Sequence, residues 1–121
     1  MAKILVAEDD QDIRELIALT LQFNGFEVTP VENGALAVER ASSQAFDLIL
    51  MDVRMPKMTG YEACKRLKAA EATRDIPVIF LSAKGQESEI ETGIMAGAAD
   101  YILKPFAPDV LISKINKVLS L

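Results

Sequence analysis

Residues 47–56 read DLILMDVRMP, a stretch in which a run of apolar side chains ends at an acid. The apolar residues 48–51 form a continuous run, which is typical of a strand buried on both faces of a sheet. Asp52 follows directly, and Arg54 and Pro56 come just after it. The segment therefore predicts a central strand that delivers a functional acid to the rim of the sheet.

The composition is that of one globular domain. The chain has 121 residues, of which 50% are hydrophobic and 26% are charged, so it can bury one sizeable core. Thirteen basic residues against 18 acidic ones leave a net charge of −5, which argues against direct binding to nucleic acid. The absence of histidine excludes histidine-based catalysis and histidine metal ligands.

Two further features predict a cytoplasmic location. Cys64 is the single cysteine, so no internal disulfide can form, and a reducing compartment is indicated. No apolar stretch approaches transmembrane length, and residues 1–10 turn acidic too soon for a signal peptide. We therefore expect no membrane partner and a single domain over residues 1–121.

Strand-like runs alternate with helical patterns along the whole chain. The expected strands are 4–7, 26–29, 48–51, 77–81 and 101–103. The first, third and fourth are apolar throughout and belong in the centre of a parallel sheet, whereas the second and fifth belong at its edges. This pattern predicts a doubly wound (βα)5 three-layer sandwich, an α/β fold with strand order 2-1-3-4-5.

The helix signals differ in strength. The apolar stripe of the first helix consists of Ile13, Leu16, Ile17, Thr20 and Leu21. The fourth helix is weaker, because its stripe contains only Ile90 and Ile94. Gly93 and Gly97 each cost that helix about 1 kcal/mol relative to alanine. A helix held so weakly could change position for little free energy.

Polar side chains follow the predicted strands at the rim where the winding of the chain reverses and opens a crevice. They are Glu8, Asp9 and Asp10 after the first strand, Asp52 after the third, Ser82 after the fourth and Lys104 after the fifth. Carboxylates gathered in one crevice repel one another, which favours a hard cation such as Mg²⁺. With Lys104, such an ion could hold a phosphoryl group, and Asp52 could act as the nucleophile.

The acidic cluster after the first strand also has a structural interpretation. Asp10 fits the N-cap of the first helix better than a metal site. For the cluster alone, capping and metal binding are about equally good interpretations, and Asp52 favours the metal. Ser82 could likewise cap the next helix, and Tyr101 could cover an edge strand.

Four motifs in this order give the chain a family resemblance. They are ILVAEDD (4–10), DLILMDVRMPKMTG (47–60), PVIFLSA (77–83) and GAADYILKPF (97–106). With them the chain resembles the receiver domain of bacterial two-component response regulators over essentially its whole length. The resemblance implies a flavodoxin-like fold, and 2-1-3-4-5 is the known strand order of that family.

The resemblance also implies a chemistry for the site. Asp52 would accept a phosphoryl group from a phosphohistidine on a sensor histidine kinase or a phosphotransfer protein. Glu8, Asp9, Asp52 and the backbone carbonyl of Arg54 would bind Mg²⁺ or Mn²⁺. The chain would be no enzyme in the ordinary sense, since it would catalyse only its own phosphorylation and dephosphorylation.

Further residues take roles from the same resemblance. Ser82 would bond the phosphoryl group, Lys104 would pair with it, and Tyr101 would turn inward as the switch. The bond before Pro105 would be cis. Glu8 stands where the family often has aspartate, Ser82 replaces the commoner threonine, and Ala107 leaves the last helix without a side-chain N-cap. Cationic Arg54 and Lys84 predict a phosphoryl lifetime of at least minutes.

Two surfaces follow from these assignments. We expect the kinase to dock on the start of the first helix, at Ile13, Arg14 and Ile17. The output face would be formed by the fourth helix, fifth strand and fifth helix, with Met95, Tyr101, Lys114 and Lys117 on it. Val110 replaces a residue that is often acidic in the transcription-factor branch, so we expect a monomer or a weak dimer.

Two other functions fit parts of the pattern. A phosphohydrolase with an aspartyl nucleophile would need Asp-x-Asp after the first strand and a covering cap, whereas residues 8–10 read Glu-Asp-Asp. An FMN carrier would need a Ser-, Thr- and Gly-rich loop there, and an acidic loop repels a phosphate. Turnover of a phosphomonoester would support the former, and visible colour the latter.

Overall fold

The computed structural model describes residues 1–83, 91–94 and 96–120, and its strands form one parallel sheet. The strands are β1 Lys3–Ala7, β2 Glu27–Val31, β3 Leu48–Asp52, β4 Val78–Ala83 and β5 Asp100–Lys104. The helices are α1 Gln11–Phe23, α2 Gly34–Ser43, α3 Gly60–Ala69, α4, of which residues 91–94 are described, and α5 Pro108–Leu119. Lys84, Ile90 and Met95, to which the sequence assigned roles, lie outside the described residues.

The strand order β2-β1-β3-β4-β5 confirms the predicted doubly wound fold. Successive residues of the central strands pack on opposite faces of the sheet, which is why these runs are apolar throughout. In β1, Ile4 and Val6 join the cluster under α1 and α5, whereas Leu5 and Ala7 join the cluster under α2 and α3. Both clusters contain fully buried side chains, so helices cover both faces.

The strands extend further than the apolar runs predicted. Asp52, Ser82 and Lys104 belong to β3, β4 and β5 rather than following them, because parallel pairing continues to the rim. Strand β2 extends beyond the predicted range 26–29 and includes Pro30, which lies beside Val6 of β1. An edge strand accommodates proline because its outer N–H groups need no partner within the sheet.

Two helix stripes are narrower than predicted. Leu16 is 55% exposed, because α1 buries Ile17 and Leu21 instead. Ile94 is 59% exposed as well. The reason is Gly93, where an added Cβ would lie 2.7 Å from the Phe80 ring, so the helix approaches the core through its glycine.

The start of α1 agrees with the predicted N-cap, and α3 is capped in the same way. The Asp10 side chain accepts a hydrogen bond from Ile13 N at 3.0 Å, and Thr59 accepts one from Glu62 N at 3.2 Å. Helix α5 has no side-chain cap at Ala107, as expected. None of the helices in the described ranges has the length and apolar character needed to cross a bilayer.

Candidate functional site

The ends of β1 and β3 bring three carboxylates together. Glu8 follows β1 and is fully buried, Asp52 is the last residue of β3 and is 6% exposed, and Asp9 is exposed at the rim. Each of them offers one carboxylate oxygen, and these oxygens all lie within 4.8 Å of one another. Asp10 is the N-cap of α1 and is not one of the three.

Lys104 joins this cluster from the far side of β4. It is the last residue of β5, and its Nζ lies 2.7 Å from Glu8 Oε1 and 2.9 Å from Asp52 Oδ2. One ammonium group therefore contacts two carboxylates that come from different strands. When all four groups are ionised, three negative charges face one positive charge, so the cluster has a formal charge of −2.

Burial and neighbouring ionisable groups shift the pKa values of Glu8 and Lys104 in this cluster. Burial raises the pKa of Glu8 to about 8, and the hydrogen bond with Asp52 acts in the same direction, while Lys104 opposes the rise. Burial by itself would lower the pKa of Lys104, but its hydrogen bonds to Glu8 and Asp52 outweigh that effect and raise it. Lys104 is therefore charged at neutral pH, and Glu8 holds a proton when no metal compensates its charge.

The donor set fits a hard divalent cation. The three carboxylates supply oxygen ligands at short mutual distances, and Asp9 leaves one side of the cluster open to water. Mg²⁺ prefers oxygen ligands and retains several waters, so it suits a site with few protein ligands. Its charge would also offset the excess negative charge that keeps Glu8 protonated.

Backbone contacts hold the acids in place. Arg14 of α1 donates from Nη1 to the carbonyl oxygen of Glu8 at 2.8 Å. Arg54 N donates to Asp52 Oδ1 over a longer distance of 3.4 Å. Gly60 begins α3 directly over the end of β3, where a Cβ would overlap the carbonyl oxygen of Asp52.

The remaining predicted residues lie on β4 and β5. Ser82 is 1% exposed, one residue beyond Leu81, which pairs with Asp52. The Tyr101 ring is partly buried at the edge strand, and Lys114 Nζ lies 4.7 Å from its centroid. The peptide bond between Lys104 and Pro105 is cis. The structure thus brings Glu8, Asp9, Asp52 and Lys104 into direct proximity and places Ser82 and Tyr101 on the neighbouring strands.

The predicted docking residues need a correction. Ile17 is fully buried in the core under α1, so it cannot contact a kinase in the folded protein. Arg14 is partly buried and binds the backbone of Glu8. The sequence assigned Ile17 both to the apolar stripe of α1 and to the docking face, and its burial leaves only the first role, whereas Leu16 of the same stripe is 55% exposed.

Sequence reasoning also missed two contributors to the site, Arg14 and Gly60, and one ion pair outside it. The contact of Arg14 with Glu8 depends on how α1 leaves the loop, and no local motif encodes it. The need for a residue without a side chain at Gly60 comes from the chain crossing the backbone of Asp52, which the motif 47–60 does not reveal. Asp100, which binds Lys114 at 3.2 Å, was not singled out.

Comparisons with known proteins agree with this geometry. The family model "Response regulator receiver domain" matches residues 4–116. The phosphate regulon transcriptional regulatory protein PhoB of Escherichia coli is 41% identical over 117 residues, which are 97% of this chain and 51% of PhoB. The chain spans about half the length of the curated relatives it matches.

Solved structures show the same architecture. The chemotaxis protein CheY4 of Vibrio cholerae superposes with a TM-score of 0.92 at 33% identity, covering 98% of each chain. The receiver domain of the sensor histidine kinase PA1611 from Pseudomonas aeruginosa gives a TM-score of 0.92 at 34% identity, over 99% of this chain and 98% of that one. Its structure has a magnesium ion coordinated in the active-site cleft. The chain therefore belongs to the receiver domain family of two-component response regulators.

Proposed function

We propose that the chain is a phosphoacceptor signalling domain in which Asp52 carries the phosphoryl group. The single observation that supports this assignment is the contact of Lys104 with Asp52 and Glu8, beside Asp9. A nucleophilic carboxylate, a fixed ammonium group and a set of oxygen donors for a cation are the parts that phosphoryl transfer needs.

The reaction transfers the phosphoryl group from a ring nitrogen to a carboxylate oxygen. An oxygen of Asp52 forms the new P–O bond, and the N–P bond of a phosphohistidine breaks with its electron pair staying on the ring nitrogen. Lys104 is already charged and placed 2.9 Å from Asp52 Oδ2, so it can bind a phosphoryl oxygen without a large movement. Preorganised positive charge of this kind stabilises the charge that develops on the transferring group.

The metal-binding residues in this proposal are Glu8, Asp9, Asp52 and the backbone carbonyl of Arg54. A bound Mg²⁺ or Mn²⁺ would neutralise charge on the phosphoryl oxygens. Glu8 would release its proton when the ion binds, and the hydrogen bond from Arg14 to the Glu8 carbonyl would keep the loop in place. Arg54, next to the site, supports our prediction of a phosphoryl lifetime of at least minutes.

The signal would leave through the surface formed by α4, β5 and α5. In this proposal Ser82 bonds the phosphoryl group, and Tyr101 turns inward, which changes that surface for a downstream protein. Residues 1–121 would act as one cytoplasmic receiver unit, a monomer or a weak dimer without direct nucleic-acid contacts. Its only catalysis would be its own phosphorylation and dephosphorylation.

The phosphodonor would approach along α1. Ile13 and Leu16 line a cavity of about 280 Å³ together with Lys104, Pro105 and Phe106. This cavity opens beside the Lys104 end of the site, where a sensor histidine kinase or phosphotransfer protein must place its phosphohistidine. The revised docking surface therefore contains Ile13 and Leu16 and excludes Ile17.

Incubation with acetyl phosphate and Mg²⁺ tests the proposal, with intact-mass analysis as the readout. We expect one phosphoryl group on the wild type and none on Asp52→Asn or in excess EDTA. Asp47→Asn is the matched control, because Asp47 lies just before the same strand and its carboxylate accepts a hydrogen bond from the exposed N–H of Lys3 at 2.8 Å, away from the acidic cluster. Modification that persists in Asp52→Asn, or multiple turnover of a phosphomonoester, would contradict the proposal.

A further inference from the structure

Lys114 of α5 makes two contacts with the edge strand β5. Its Nζ lies 3.2 Å from Asp100 Oδ1 and 4.7 Å from the centroid of the Tyr101 ring. The same Asp100 oxygen accepts a hydrogen bond from Tyr101 N at 2.8 Å. The ammonium group is thus held by a carboxylate while it faces the ring of the next residue. An ammonium group over an aromatic face is attracted by the ring quadrupole.

The cavity that Tyr101 shares with β4 and the described part of α4 is small. This cavity of about 10 Å³ is lined by Phe80, Ser82, Gly93, Ile94, Ala98, Asp100 and Tyr101. That volume holds about one water molecule and is far too small for a phenol ring. Inward movement of the Tyr101 ring therefore requires two changes, which are enlargement of this cavity and loss of the contact with Lys114.

We propose that Lys114 is a positioning residue that holds the Tyr101 ring against α5 and thereby sets the free energy of the switch. Asp100 fixes the ammonium group, so the contact is made by a restrained side chain rather than by a mobile lysine. This inference rests on the proposed function, in which Tyr101 turns inward on phosphorylation. The inference identifies Lys114, a residue outside the phosphoacceptor site, as a group that opposes the inward rotation of the Tyr101 ring.

Loss of the Lys114 contact would shift the population of the Tyr101 ring toward the inward state. A ligand that binds the inward state must overcome the stabilisation of the outward state, so removing that stabilisation raises the apparent affinity for the ligand. Beryllofluoride with Mg²⁺ is the probe, since it would occupy the position of the phosphoryl group on Asp52. We expect Lys114→Met to bind beryllofluoride about threefold to tenfold more tightly than the wild type.

The experiment uses amide and ring NMR signals during a beryllofluoride titration at saturating Mg²⁺. Lys114→Arg should restore wild-type affinity, because a guanidinium group can also face the ring. Lys117→Met is the matched control, since it removes the same charge from an exposed position one turn along α5. In a Tyr101→Leu background, Lys114→Met should change the affinity no more than Lys117→Met does.

Two results would overturn the inference. One is equal affinity in Lys114→Met and Lys117→Met, and the other is a full effect of Lys114→Met in the Tyr101→Leu background. The contact itself is tested without any phosphoryl analogue, because the ring should shift the ε protons of Lys114 upfield in the wild type and not in Tyr101→Leu. A wild type that shows this shift but binds no beryllofluoride would contradict the proposed function instead.

Discussion

At the scale of single residues, Glu8 has the most strongly altered chemistry in the site. It is fully buried beside a second carboxylate, which raises its pKa from 4.5 to about 8. The folded protein therefore keeps a proton that the unfolded chain loses above about pH 4.5. This contribution to stability is complete below that pH and is lost as the pH rises through about 8, so the metal-free protein is less stable at pH 8 than at pH 5.

The affinity for Mg²⁺ should rise with pH, because the ion must displace the proton on Glu8. We expect a gain of up to about tenfold per pH unit between pH 6 and 8 and a plateau above that. Calorimetry in two buffers of different ionisation enthalpy measures both the affinity and the proton release. Glu8→Gln should bind more weakly and with little pH dependence, and a wild type with constant affinity over this range would contradict the assignment.

Lys104 should stabilise the metal-free site most at alkaline pH. Lys104→Met leaves two buried carboxylates without their cation, which should lower the free energy of unfolding by about 2 kcal/mol or more at pH 8. The loss should be smaller at pH 5, where Glu8 is protonated, and Mg²⁺ should offset part of it at pH 8.

Urea unfolding in EDTA at the two pH values measures this difference for Lys104→Met. Lys3→Met is the matched control, because Lys3 pairs with Glu27 at 3.8 Å on the surface, where ion pairs contribute about 1 kcal/mol or less. An equal loss for the two variants at pH 8 would show that the burial of the Lys104 pairs has no energetic consequence.

At the scale of elements, the start of α3 fixes the end of β3. Gly60→Ala improves helix propensity by less than the roughly 1 kcal/mol of a helix interior, because Gly60 is the first residue of α3, and its Cβ would overlap the carbonyl oxygen of Asp52, which belongs to a fully buried strand. The overlap should outweigh the propensity, so we expect a net destabilisation of about 2 kcal/mol and weaker Mg²⁺ binding.

Gly25→Ala is the matched control for Gly60→Ala. Gly25 has φ +88°, and a Cβ there would meet nothing within 4 Å. Alanine in this left-handed conformation should cost about 1 kcal/mol without affecting the site. Unfolding curves and Mg²⁺ titrations of both variants separate the two effects, and unchanged Mg²⁺ affinity in Gly60→Ala would argue against a coupling between α3 and the site.

The elements themselves were largely predictable from sequence. Strands buried on both faces must be apolar throughout, and caps such as Asp10 act within three residues, so both leave local signals. The exposed positions of Leu16 and Ile94 could not be predicted in that way. Gly93 brings its helix against Phe80, and that packing decides which neighbour is exposed.

The site was likewise predictable from sequence only in part. Strand ends of a parallel sheet share one rim, so the proximity of Glu8, Asp9 and Asp52 follows from the fold. Lys104 contacts two carboxylates across β4. These contacts depend on side-chain geometry that the spacing of residues in the sequence does not encode. The contact of Lys114 with Tyr101 depends likewise on how α5 lies against the edge strand.

At the scale of the whole molecule, the site and an apolar surface lie next to each other. Leu16 and Leu19 are 55% and 64% exposed on α1, and Phe23, at the end of the same helix, is 92% exposed. Leu16 lines the cavity beside Lys104, whereas Leu19 and Phe23 line a separate groove between α1 and α5. If the phosphodonor protein docks at the site, Leu16 should matter to it more than Leu19 does.

Small and large phosphodonors should therefore respond differently to a change at Leu16. Acetyl phosphate needs only the site, so Leu16→Ser should be phosphorylated by it at the wild-type rate. Transfer from a phosphorylated histidine kinase at subsaturating concentration should slow about fivefold, because covering the exposed half of a leucine contributes about 1 kcal/mol. Leu19→Ser should slow it less, since that residue faces the groove away from Lys104. Equal slowing with both donors would place the defect of Leu16→Ser in the site itself, and no slowing with the kinase would place the docking surface elsewhere on the molecule.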